Sequence, residues 1–178
     1  TEAMQSHQGT DNFQRTTNRP EMNITMTNGT ASRDTDIFYI DGTTTGFDNG
    51  YDSSIFGGAT NEFAIYTHAV ANGSGRNLGI QSLPPNNYEN MIIPVGVNAI
   101  SGTYITIDAS INNFPSGINI YLEDKQDNSF TLLDADANFS TTLENRLSGI
   151  GRFYLHTTST SLSVNDLTTS NNLSTRSE

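Results

Sequence analysis

Ile118-Asn119-Ile120-Tyr121-Leu122-Glu123-Asp124-Lys125-Gln126-Asp127-Asn128-Ser129-Phe130-Thr131-Leu132-Leu133 decides the fold class. Ile118, Ile120 and Leu122 alternate with other residues, the period-two pattern of a strand with one buried face. Asp124 to Asn128 is an acidic, amide-rich turn, and the apolar run to Leu133 reads as the returning strand. The hairpin carries no obvious catalytic group. Glu123 and Asp124 look like paired carboxylates, but neighbours on a strand point to opposite faces and cannot flank one scissile bond.

Working outward, the same period recurs. Met22, Ile24 and Met26 alternate with Asn23, Thr25 and Thr27 and stop at the turn Asn28-Gly29. Ile37-Phe38-Tyr39-Ile40, between Asp36 and Asp41, reads as a short strand buried on both faces. Glu62 to His68 alternates, and Asn77 to Leu83 does so until Pro84-Pro85 stops it. Met91 to Val97 is apolar but interrupted by Pro94, which removes a ladder donor and predicts an edge strand or a bulge. Ser101 to Ala109 is β-branched; Gly117 to Glu123, Ser129 to Leu133, Ala137 to Thr142 and Gly151 to Thr157 follow, and Leu162 and Val164 close the folded part. No segment keeps a helical period; Thr141 to Leu147 is short and runs into Gly149 and Gly151. The expected class is all-β, an antiparallel β-sandwich or jelly roll of about nine or ten strands.

The 178 residues suit one domain, with hydrophobic residues at only 34% and many Thr, Ser, Asn, Gly and Asp, the composition of short strands joined by turns. Residues 1–20 read as a polar leader or linker, 21–164 as the β-sandwich domain and 165–178 as a polar C-terminal linker. A formal charge of -11 argues against nucleic acid and anionic lipid, both of which need clustered Lys and Arg. Without cysteine there are neither disulfides nor thiolate metal sites. No apolar run approaches the ~20 residues of a membrane span. No signal peptide is visible, which reads as an internal segment of a longer protein.

Four pieces carry a family likeness: Gly46-Phe47-Asp48-Asn49-Gly50-Tyr51-Asp52, Asn77-Leu78-Gly79-Ile80-Gln81-Ser82-Leu83-Pro84, Ile120-Tyr121-Leu122-Glu123-Asp124 and Gly151-Arg152-Phe153-Tyr154-Leu155-His156. In this order they resemble the β-sandwich module that precedes the C-terminal sorting domain in Bacteroidota type IX secretion substrates. Leu162-Ser163-Val164-Asn165-Asp166 is similar to the linker into that sorting domain. The resemblance implies an extracellular or outer-membrane-surface location and attachment to other domains, and it implies no reaction.

Two loops carry the candidate chemistry. Asp41, Asp48 and Asp52 are hard oxygen donors that suit Ca2+, although Asp48-x-x-x-Asp52 is not an EF-hand spacing. The bland alternative is a tight Asn49-Gly50 turn whose acids bond local amides. Pro84-Pro85-Asn86-Asn87-Tyr88-Glu89-Asn90 is the most site-like loop for a sugar: Tyr88 offers a ring, and Asn86, Asn87 and Glu89 surround it with hydroxyl-reading groups. Tyr51 and Tyr66 are further stacking candidates. Against these stands the reading that the tyrosines cover the core edge with their hydroxyls in water. His68 and His156 show no zinc spacing, no nucleophile elbow is present, and His156 is expected to pair across strands. Arg146 or Arg152 is expected to pair with Asp124 or Asp134. These observations point to a non-catalytic extracellular module that binds a neutral or weakly charged polysaccharide, with a structural spacer or adhesin segment as the alternative.

Overall fold

A computed structural model describes residues 18–55, 62–71, 75–86, 88–134 and 137–162. Val164, most of the polar leader and the C-terminal linker lie outside the described residues. The strands are β1 (Glu21–Thr27), β2 (Ser32–Tyr39), β3 (Ser53–Ser54), β4 (Ala64–Thr67), β5 (Leu78–Leu83), β6 (Met91–Ala99), β7 (Tyr104–Asn112), β8 (Asn119–Asp124), β9 (Ser129–Leu132), β10 (Phe139–Thr142) and β11 (Leu147–Thr158). Each period-two segment of the sequence carries a strand. β3 is the addition, at two residues too short to show a period.

The protein is all-β, and its strands form one mixed sheet nearly closed into a barrel, in the order β10-β7-β1-β2-β5-β4-β6-β11-β8-β9 with β3 on β5. Uniform antiparallel pairing is overturned at one place: β2 and β5 run parallel, with Asp36 opposite Ile80 and Tyr39 opposite Leu83. β3 and β4 lie between the two in sequence, and β5 runs in the direction of β2. Among the described residues the ladder between β4 and β5 is one pair long, Thr67 with Leu78.

Alternation fills the interior. Met22, Ile24 and Met26 of β1 are buried together with Ile37, Ile105, Ile107, Leu122, Phe153 and Leu155, while Asn23 and Thr25 face outward. Each such side chain taken fully out of water contributes about 1.5–3 kcal/mol. Pro94 does not mark an edge, because β6 lies between β4 and β11. It sits one residue past the end of the β4 pairing at Val95, and the bulge falls on the facing strand between Gly149 and Phe153. There Gly149 and Gly151 adopt φ of 127° and 117°, a region that side chains disfavour.

Candidate functional site

The parallel β2–β5 pair places the ends of both strands on one rim. The amide of Ile40 donates to the carbonyl of Leu83 at 2.9 Å, so the loops that begin at residues 40 and 84 leave side by side. The start of β1 and the end of β7 share this rim, since Glu21 lies opposite both Phe38 and Asn112. Thr157 brings in the end of β11, its hydroxyl donating to the carbonyl of Tyr88.

Tyr88 opens a single 3-10 turn, Tyr88–Asn90, between β5 and β6. Its ring packs 4.7 Å from Tyr39 and 5.6 Å from Phe114, and Tyr39 meets Phe114 edge-on at 5.3 Å. Burial pushes the Tyr88 phenol above its ordinary pKa, and the nearby Asp41 carboxylate adds to the shift. Tyr39 is raised further, by near-complete burial, against a smaller opposing effect of the Thr157 hydroxyl. Tyr88 is thus partly a packing residue, with one portion left toward solvent.

Beside this aromatic cluster lies a cleft of about 430 Å3, lined by Asn18, Arg19, Pro20, Tyr39, Asp41 and Pro85 among others. Arg19 is held from three directions. Its guanidinium lies 4.0 Å above the Phe38 ring, its Nε donates to Glu21 at 3.5 Å, and its carbonyl accepts from Asn113 Nδ2 at 3.2 Å. Asn113 itself has φ of 57°, a left-handed conformation that Asn tolerates better than most residues.

The other expected site residues divide. Asn86 and Glu89 are exposed beside Tyr88, and Asn87 lies outside the described residues. Tyr51 is 48% exposed, and its carbonyl accepts from Ser82 Oγ at 3.2 Å, which ties the residue 40–52 loop to the end of β5. Tyr66 corrects the expectation that it offers a stacking face: it is 2% exposed, and its hydroxyl donates to Asn98 Oδ1 at 3.1 Å. Its ring fills the space over Gly96, where a Cβ would overlap it, so glycine is required there.

In the acidic loop, Asp48 and Asp52 are taken up by backbone amides. Asp48 accepts from the Thr44 amide at 2.6 Å and the Thr44 hydroxyl at 3.1 Å. Asp52 accepts from the amide of Asp48 and, through its other oxygen, from the amide of Ser82, each at 2.7 Å. Among the described residues no three His, Cys, Asp or Glu side chains group to hold a metal ion, so Asp41, Asp48 and Asp52 do not form one ligand set. The Asp48 and Asp52 carboxylates are engaged in holding the loop's backbone and in tying it to β5.

Along β11, His156 Nε2 pairs with Glu123 Oε2 at 2.8 Å, and Arg152 grips Asp124 through Nε at 2.9 Å and a terminal nitrogen at 2.7 Å. Both are cross-strand pairs between β11 and β8. Arg19 is the site residue that pattern reading misses: its stacking partner is distant in sequence, and no local motif marks it.

Residues 2–157 match the family described as Domain of unknown function (DUF8693). The chain belongs to that family. The matched span covers the whole DUF8693 rim described above, together with nearly all of the leader. No curated protein and no solved structure matches the chain.

Proposed function

We propose that this DUF8693 domain is a non-catalytic carbohydrate-binding module of an exported, surface-located protein, and that it takes a polysaccharide at the rim where β2 and β5 end. The observation that carries the reading is the cleft of about 430 Å3 walled by Tyr39, on which Tyr88 packs, which sets an acid (Asp41), an amide (Asn18) and a guanidinium (Arg19) around one opening stiffened by Pro20 and Pro85. Its volume suits one or two sugar rings within the usual range of ligand sites. The export, type IX sorting and tethering parts of the reading rest on the resemblance in the four quoted segments. A finer architecture belongs to the same reading: the one-pair ladder between β4 and β5 supports two packed layers, β10-β7-β1-β2-β5 and β4-β6-β11-β8-β9, as in a sandwich.

The test is a glycan array probed with the whole chain, followed by affinity gel electrophoresis of Asp41→Ala. Asp41 is exposed, so its removal should leave the fold intact. Retention of the wild type and its loss in the variant are expected; no retained glycan, or equal retention of both proteins, overturns the proposal. The spacer reading has its own support, since Tyr39, Tyr66 and Tyr121 are all packed. It predicts an empty array.

A further inference from the structure

We infer that the rim cleft recognises a carboxylate-bearing sugar, with Arg19 receiving the carboxylate and Asp41 the ring hydroxyls; this rests on the carbohydrate reading above and narrows its ligand class. The reason lies in what Arg19 leaves unused. A guanidinium has five N–H donors in a planar fork. In Arg19 only Nε is engaged, by Glu21, and among the described residues nothing meets its two terminal nitrogens. The plane is nevertheless fixed, because it stacks on Phe38 while its backbone is tied to Asn113. A planar fork held in place with its outer edge open, lining a cleft, is preorganised for two parallel bonds to a carboxylate.

Among the other described cations, Arg76 is also stacked on a ring, 4.2 Å over Phe47, but it does not line this cleft. Arg152 has already formed its two-bond contact with Asp124, Arg33 donates to the carbonyl of Ser32 on an exposed strand, and Lys125 lies 4.5 Å over the ring of Tyr154. Asp41 lines the same cleft as Arg19 but forms no ion pair with it. An occupant must therefore satisfy an acceptor at one side and a donor fork at the other. A pyranose ring with one carboxyl group and free hydroxyls presents both sets. A neutral sugar leaves the fork bonded only to hydroxyls, and a simple anion meets Asp41 with nothing to donate.

Affinity electrophoresis of the full chain through gels containing polygalacturonate, or the same polymer with its carboxyl groups reduced to alcohols, separates the possibilities. The protein carries a formal charge of -11, so non-specific ion exchange opposes retention by the polyanion and cannot imitate it. The wild type is expected to bind the acidic polymer about tenfold more tightly than the reduced one, the scale of a charge-assisted bond pair. Arg19→Gln should abolish that preference, and Arg19→Lys, which keeps the charge without the fork, should restore only part of it. An unchanged urea midpoint in both variants shows that they remain folded. Equal retention in the two polymers, or full retention of Arg19→Gln, overturns the carboxylate inference while the carbohydrate reading stands. Retention in neither polymer, with an empty glycan array, overturns both.

Discussion

Arg152, beside the β8–β9 hairpin, and Arg19, at the rim, show what a charged residue can mean in a β-fold. At the hairpin end, Arg152 is 10% exposed, Asp124 is 1% exposed, and two hydrogen bonds join them. The two bonds run between the strands, so the pair clamps β8 to β11. At the rim end, Arg19 is held by an aromatic ring and a single Glu contact, and it lines a cleft. The same comparison applies to the acids. Asp48 and Asp52 are bound to amides of their own loop and of Ser82, whereas Asp41 lines the opening. The lesson is that the density of charge in a stretch of sequence says little about binding. What matters is how much bonding capacity remains after the fold has formed, since buried polar groups are almost always satisfied internally.

Breaking the hairpin-end clamp should have the largest effect. Asp124→Ala leaves the Arg152 guanidinium in a nearly buried position without its counter-charge and should cost about 3–5 kcal/mol of stability, measured by urea denaturation. A loss under about 1 kcal/mol, as for an exposed pair, would erase the contrast between the two ends. At the rim end, the sign of a pH effect tests whether the aromatic cluster is dry. The Tyr39 pKa is raised in the folded state, so the unfolded chain gives up that proton first. Its contribution is complete below the unfolded tyrosine pKa of about 10 and is lost as pH rises above it. The urea midpoint should therefore fall between neutral pH and pH values above about 10, and fall less in Tyr39→Phe. Parallel curves for the two proteins would mean that the Tyr39 hydroxyl meets water. The smallest expected effect is at the acidic loop. Because Asp48 and Asp52 already bond local amides, melting with calcium and with a chelator should coincide; a rise in Tm with calcium would show that these carboxylates leave their amides for the ion.

Much of the fold was legible in the residues. Met22, Ile24 and Met26, or Ile120 and Leu122, reveal their inward face by period alone, because side-chain direction on a strand depends only on parity. Cross-strand pairing of His156 was also foreseeable, although the partner Glu123 was not. The parallel pairing of β2 and β5 was hidden, since a run such as Ile37-Phe38-Tyr39-Ile40 has the same pattern whichever way its neighbour runs. Tyr66 was misread for a related reason: its polar surroundings in sequence do not disclose that its ring lies over Gly96, a residue thirty positions further along the chain.

By itself, the sequence determined that the chain is all-β, where its turns fall and which face of most strands is buried, because those properties follow from local sterics and the two-residue repeat of a strand. Only the tertiary structure decided which groups meet. The parallel return of β5 beside β2 brings Asp41 and Pro85 to one opening and Tyr88 onto Tyr39 and Phe114, while the pairing of β1 with β2 sets Arg19 over Phe38. These are contacts between residues far apart in the chain, and their energies depend on distance and burial, which no local pattern encodes.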